Sequence, residues 1–377
     1  MSTLFSTDFD YHQVEPTILL AILVDQINLS AARHLQIFGY YKSLADAIDD
    51  QFQLMKHLKL KWLEKIGSVA ANLPAKINEL QKALETNQID LLGFENIDYP
   101  SSLKILENYP LVLYTQGDVK QLSNKMLITV IGSRVIDTYA EIMSRQIVSP
   151  LCKLGVGIVS GLAVGMDGLA HQIALENKAI TVGVIGSGLD QRCFYPSQNW
   201  AMKNQIILSG GCVISEYPPG KLPNTYTFPQ RNRLLAALTE LTFVVQASSK
   251  SGSLITALKA RDLGKTLCTI PADIRNKSFD GNLKLMKEGC QIITESEDIL
   301  ALMGLKMHPE IKIKETKQFG SKDEEKIYNI LSIQAHNVEK ITELSGFDST
   351  TVTVSLTMLE LSGLAMNTGE NNWIKAG

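Results

Sequence analysis

Leu127-Ile128-Thr129-Val130-Ile131-Gly132-Ser133-Arg134 is the run from which the fold can be read. Its first five residues are apolar or β-branched, too few for a helix and suited to a strand buried on both faces. A glycine, a small hydroxyl and a cation follow, and then an amphipathic segment over 139–154. The same order repeats downstream. Strands are predicted at 157–160, 180–185, 212–215, 243–246, 267–270 and 291–294, with helices such as 168–175 and 254–263 between them. Strands alternating with helices build βαβ units, which predicts an α/β fold around a parallel sheet covered on both faces.

In such sheets ligands bind beyond the carboxyl ends of the strands. The small-residue clusters fall at those ends: Gly132-Ser133-Arg134, Ser160-Gly161, Gly186-Ser187-Gly188 and Ser251-Gly252-Ser253. Several independent strands thus deliver small residues to one edge, which predicts a site there.

Outside the sheet, apolar spacing predicts helices at 18–27, 30–38, 44–48 and 75–86. Tyr99-Pro100 and Pro110 then mark an irregular connector leading to a short strand at 111–114. A charged stretch, 306–325, reads as a linker. Beyond it, three helices (325–331, 338–344, 350–362) and a hairpin (364–366 with 373–375) predict a winged helix. Its recognition-helix candidate, 350–362, contains no Lys or Arg, unlike a helix that meets phosphates. A protein-contact or structural role is favoured for it.

Charge sharpens the location of the site. The net charge of −3 over 377 residues argues against bulk coating of nucleic acid. Residues 1–120 are net −5 and 321–377 net −4, so 121–320 holds a net of +6. Within it, Lys221, Arg231, Arg233, Lys250, Lys259, Arg261 and Lys265 face only Glu240 and Asp262 across 221–265. Hydrophobic residues at 45% exclude extended disorder. Five cysteines with no C-x-x-C pair read as thiols in a reducing compartment. No basic n-region opens the chain, and its longest apolar run, 18–24, is too short to span a bilayer. A cytoplasmic protein away from membranes is expected.

Several chemistries lose support. A dinucleotide fingerprint from Gly186 or Gly155 would need glycine at 191 or 160, which are Gln191 and Ser160. A P-loop ending Gly264-Lys265-Thr266 would need glycine at 259, which is Lys259. There is no H-E-x-x-H, no metal-ligand spacing among the six histidines, and no G-x-S-x-G elbow. No metal, cofactor or catalytic residue is expected.

Other strings hold. In Gly132-Ser133-Arg134 glycine lets backbone amides approach an anion, and Arg134 can grip phosphate bidentately; the alternative is a tight turn. The 160–167 stretch, beginning Ser160-Gly161, can form an amide nest, with Asp167 capping the next helix and His171 structural. In Phe228-Pro229-Gln230-Arg231-Asn232-Arg233, arginines offer phosphate contacts and Phe228 and Tyr226 offer stacking faces. That combination suits single strands better than duplexes. One of the two arginines is expected to be structural, with Arg233 favoured. Ser251-Gly252-Ser253 opens a helix as an anion nest, and Lys250 adds charge. Glu216 is either a general base or the partner of an arginine such as Arg231 or Arg233, and the second is favoured.

Together these strings resemble the DNA-processing protein A (DprA/Smf) family. The resemblance runs in order from Ile131-Gly132-Ser133-Arg134 through Ser160-Gly161-Leu162-Ala163-x-Gly165-Met166-Asp167. It continues with Gly186-x-Gly188-Leu189-Asp190, Tyr195-Pro196, Ser215-Glu216-Tyr217, Phe228-Pro229-x-Arg231-Asn232-Arg233 and Ser251-Gly252-Ser253 to Gly289. It implies a Rossmann-like core (106–305) between an N-terminal helical, SAM-like domain (1–105) and, after a linker (306–322), a winged-helix-like domain (323–377). It also implies a non-catalytic, dimeric single-stranded DNA-binding protein that protects incoming strands in natural transformation and loads the RecA recombinase. The DNA contacts carried over are Gly132, Ser133, Arg134, Phe228, Arg231 and Asn232, with the 251–253 loop nearby. The wider candidate set adds Ser160, Gly161, Arg233 and Lys250.

The competing reading is a Rossmann-like enzyme or sensor that cleaves nucleoside monophosphates or binds a nucleotide ligand through Arg134, Glu216 and the 251–253 loop. The hydrolase string Pro-Gly-Gly-x-Gly-Thr-x-x-Glu is absent, and a mononucleotide pocket does not need the aromatic–arginine string. A scaffold acting through its acidic ends would leave the basic site unexplained.

Overall fold

The computed structural model describes residues 9–62, 69, 72–124, 126–305, 319–332, 334–369 and 371–375. The chain forms two compact units, residues 1–135 with 149–294, and residues 136–148 with 295–377.

The first unit opens with helices α1 (Pro16–Ile27), α2 (Ala31–Phe38), α3 (Leu44–Asp49) and α4 (Leu73–Asn87). Local chemistry sets their ends. Pro16 occupies the first turn of α1, where its missing N–H costs nothing. The Ser30 and Ser43 hydroxyls accept the Arg33 and Asp46 amides and cap α2 and α3. Asn28 and Gln88, both at φ 52°, stop α1 and α4 in the left-handed conformation.

The chain then runs through β1 (Asp90–Gly93), β2 (Val112–Gly117), β3 (Leu127–Ile131), α5 (Thr138–Lys153), β4 (Gly157–Ser160), α6 (Met166–Glu176) and β5 (Thr181–Ile185). It continues with α7 (Trp200–Leu208), β6 (Cys212–Ser215), α8 (Thr227–Leu238), β7 (Leu241–Val244), α9 (Ser253–Asp262), β8 (Thr266–Thr269), α10 (Asp280–Lys287) and β9 (Gln291–Ile292). The strands form one sheet in the order β1-β2-β6-β5-β4-β3-β7-β8-β9. From β6 to β9 every pairing is parallel, as the βαβ pattern predicts. The outer two strands depart from it: β2 joins β6 antiparallel, and β1 joins β2 antiparallel. β1 falls inside the 1–105 segment expected to be helical, so the sheet begins ahead of residue 106.

Alternation of side chains divides the core into two layers. Val112, Tyr114, Val213 and Ile185 face a layer shared with Ile18, Leu19, Leu23, Ile48 and Leu73 of the N-terminal helices. Leu113, Cys212, Ile214, Val182 and Val184 face the opposite layer, with Leu234, Leu235, Leu254 and Ala257 of α8 and α9. The helical segment is therefore one wall of the sheet's own core. The five cysteines are unpaired, and all but Cys290 are buried.

In the second unit, α11 (Ser296–Leu302) precedes α12 (Lys322–Ile330), β10 (His336–Asn337), α13 (Val338–Ser345), α14 (Ser349–Leu361), β11 (Ala365–Gly369) and β12 (Asn372–Lys375). The last three strands pair antiparallel in the order β10-β12-β11. Ile327, Tyr328, Ile341, Val352, Leu356, Leu359 and Trp373 make its core. Ser321, Asn337 and Asp348 cap the three helices through their side chains. Residues 306–318 of the expected linker lie outside the described residues.

Candidate nucleic-acid interface

The strand order fixes where a site can form. From β3 the chain winds outward through β4, β5 and β6, then returns to lay β7 on the other side of β3. The loops leaving β3 and β7 diverge there, opening a crevice at the carboxyl ends of the two strands. A cleft of about 420 Å³ occupies it, lined by Gly132, Ser133, Arg134, Phe228, Asn232 and the 251–253 loop among others.

Two glycines shape the first wall. A Cβ at Gly132 would fall on the Met166 side chain, 2.7 Å away. Gly165 sits at φ 80°, ψ −130°, a region essentially closed to other residues, and a Cβ there would meet the Ser133 and Arg134 carbonyl oxygens at 2.5 Å. Because Gly165 has none, the 161–165 loop tucks beneath residues 133–134, and the Met166 amide donates to Ser133 O at 3.0 Å. Ser133 and Arg134 are thereby pushed outward, and the Arg134 side chain is exposed.

The second wall is aromatic. Phe228, at the start of α8, is half-buried, with the Tyr195 ring edge-on at 5.7 Å and the Arg134 guanidinium carbon 5.8 Å from its centroid. Tyr195 itself is 48% exposed and precedes a cis proline, Pro196. The third wall is the start of α9. The Ser251 and Ser253 hydroxyls lie 2.7 Å apart, and Ser251 Oγ accepts the Ser253 amide. Thr256 and Ile255 of the same helix complete it.

Arg231 lies at the floor and is only 5% exposed. Its guanidinium donates to Gly161 O at 2.6 Å and to Val184 O, its Nε donates to Asn232 Oδ1 at 3.2 Å, and Asp167 supplies the opposing charge. The arginine expected to reach the ligand is thus mostly spent on the scaffold. Asp167, expected to cap a helix, belongs to the first turn of α6 and accepts the Gly161 and Ala163 amides. Gly165 takes the cap position.

Two members of the wider candidate set do not face the cleft, and one of them, Arg233, is the arginine favoured above as structural. Ser160 is fully buried and its hydroxyl donates to Val130 O at 2.6 Å, so it offers nothing to a ligand. Arg233 points to the other side of α8, where it pairs with Glu216 beside Tyr109 and Tyr217, outside this cleft. Helical spacing explains the split: residues 231 and 233 lie about 200° apart around the axis. The alternative that Glu216 orients an arginine is the one realised, with Arg233. Gly161 lines a small annex beside Tyr195 and Phe228, and Lys250 is exposed on the loop before Ser251. Lys221 lines the cleft of Glu216 and Arg233 instead.

His171 is fully buried with Nδ1 2.7 Å from Thr181 Oγ1, whose proton goes to Ile158 O. Nδ1 therefore carries the donated hydrogen, and burial pushes the imidazole pKa down to about 3. Tyr195, exposed beside Phe228, is the aromatic that sequence reasoning passed over. Its signal was the Tyr-Pro dipeptide, which marks a fixed turn but not where that turn lands. Among the described residues no cluster of His, Cys, Asp and Glu could hold a metal, and no helix is long and apolar enough to cross a membrane.

Comparison with known proteins places this geometry. The profile of the DNA recombination-mediator protein A family matches residues 90–304. Protein Smf of Escherichia coli is 34% identical over 225 residues, which is 60% of this chain and 59% of that protein's length. The X-ray structure of DNA processing protein A from Streptococcus pneumoniae superimposes with a TM-score of 0.62 at 26% identity, covering 78% of this chain and 99% of that one. DNA processing protein A from Helicobacter pylori, solved for its single-stranded DNA binding mode, gives 0.51 at 32% identity, covering 57% and 95%.

Proposed function

The chain belongs to the DNA recombination-mediator protein A family, and on that premise we propose that it binds single-stranded DNA without base preference in natural transformation and recombination. The observation that carries this reading is the pairing, in one cleft, of the exposed Arg134 and the 251–253 hydroxyls with the Phe228 ring, which Tyr195 backs from the adjoining annex. The polar side suits a backbone phosphate and the aromatic side suits an unpaired base. A duplex keeps its bases stacked inside and cannot use the second.

The site acts by binding, without catalysis. Asp167, buried at the floor, is tied to Arg231, and Glu216 in the neighbouring cleft is tied to Arg233, which supports a scaffold role for each. On the same reading the protein works as a homodimer, shields incoming strands and passes them to the RecA recombinase. Three helices with a three-stranded antiparallel sheet support reading 323–377 as winged-helix-like.

Fluorescence anisotropy of a labelled poly-thymidine strand and a matched duplex, over a salt series, tests the core of this proposal. Tight single-strand binding that weakens with salt and is lost in Arg134→Ala is expected. Equal affinity for both DNAs, unchanged by the substitution, would sink it. Displacement of the strand by micromolar nucleoside monophosphate would favour the nucleotide-ligand reading instead. For the transfer step, RecA assembly on a strand pre-coated with single-strand binding protein should accelerate on addition of this protein, and no acceleration would refute it.

A further inference from the structure

α14 turns Val352, Ser355, Leu356 and Leu359 into the core of its unit. Its outer face carries Val354, Met358 and Leu361, spaced four and three residues apart and therefore on one stripe. They are 57%, 46% and 78% exposed. Leu344, at the end of the neighbouring α13, is half-exposed as well. The hydroxyls on this helix do not make the face polar. Thr353 donates to Ser349 O at 2.8 Å and Thr357 to Thr353 O at 2.9 Å, folding each hydroxyl onto the helix backbone and leaving methyls outside.

Charge says what can cover such a stripe. α14 has no Lys or Arg, and residues 321–377 are net −4. Three of the lysines among the described residues 319–375 are engaged, Lys340 with Glu343, Lys326 over the Phe347 ring and Lys375 over the Tyr328 ring, and Lys322 is exposed on α12. Glu360 and Glu343 are exposed on the same two helices. A phosphate backbone is repelled here, and so is a second copy of the same acidic face.

We propose that this face of α14 docks a basic amphipathic helix of a partner protein, whose apolar ridge covers Val354, Met358 and Leu361 while its cations meet Glu360 and the net negative surround. A three-residue apolar stripe supplies hydrophobic area, and the acidic surround selects the sign of the partner. The proposal stands whether or not the cleft of the first unit holds DNA.

The test uses the full chain and a fluorescein-labelled 15-residue helix with leucines on one face and lysines on the other. A control peptide carries serine in place of every leucine. Met358→Glu/Leu361→Glu removes the stripe while adding two negative charges. If the stripe docks the apolar ridge, the double variant binds the leucine–lysine peptide at least tenfold more weakly than wild type, as wild type does the serine control. Equal or tighter binding by the variant would show attraction by charge alone and overturn the proposal. Both side chains are exposed, so the fold should survive; Met358→Ser/Leu361→Ser repeats the test if it does not. Sedimentation of the unliganded chain supplies the other refutation: a fall in assembly mass in the variants would make the occupant a second copy.

Discussion

Arg134 and Arg231 line the same cleft, yet they do opposite work. Arg134 is exposed and held out by the loop beneath it, so Arg134→Ala should leave stability within roughly 0.5 kcal/mol of wild type. It should also lower the salt slope of strand binding by about one. Arg231→Ala would strand Asp167 as a buried charge and cost roughly 3–5 kcal/mol, read by denaturant unfolding. Loss of binding in that variant therefore reports folding first. The sequence showed two arginines beside an asparagine, and the expected division of labour was drawn from depth along the helix. Which side of α8 each occupies depends on where the sheet lies, and no local string encodes that. His171 makes a separate prediction. Its pKa is about 3 when folded against about 6.5 when unfolded, so between those values the unfolded chain binds the extra proton. The stability it contributes is present above pH 6.5 and lost as pH falls toward 3. His171→Gln should flatten the melting temperature against pH between 7 and 4, and an unchanged slope would contradict it.

At the level of elements, the parallel strands were the most legible part, because each is a short apolar run ending in glycine or serine. β3, β4 and β6 begin and end where the apolar pattern does. β1 was not legible. Asp90-Leu91-Leu92-Gly93 has only two apolar residues, and its partner β2 lies some twenty residues on, so pairing and not pattern makes it a strand. The loop between β4 and α6 shows how an element positions the site. Gly165→Ala should force the 133–134 backbone to move, costing of order 1–3 kcal/mol and weakening strand binding together. If binding stayed intact while the protein was destabilised, the placement of Arg134 by that loop would be wrong. Phe228→Ala should cost about 1–3 kcal/mol of strand affinity, the worth of one stacked base, with little effect on duplex binding.

For the whole molecule, the segmental charge pointed to the segment that lines the candidate cleft but overstated its free positive charge. Of the seven cations in 221–265, Lys265 pairs with Glu240, Arg261 with Glu288, and Arg233 with Glu216. Glu216 and Glu288 lie outside 221–265, so two of these pairings are invisible in a linear count of that stretch. The wall formed by the N-terminal helices was hidden for the same reason, since helical periodicity says that a face is buried and not against what. The walls of the cleft come from 132–134, 228–232 and 251–256, so it exists only when the sheet is complete. Strand binding should consequently raise the melting temperature of the whole first unit, by an amount set by ligand excess over the dissociation constant.

The exposure of Arg134 has a practical corollary for limited digestion. Trypsin cuts after accessible lysine and arginine, and in the free protein the bonds following Arg134 and Lys250 stand on open loops. A DNA strand lying in the cleft would mask both, while the bond after Lys221, in the neighbouring cleft, would stay open to attack. Lys203 and Arg231, buried at 1% and 5% exposure, would resist in either state. The peptide map of a timed digest, with and without DNA, would trace the path of the strand across the protein.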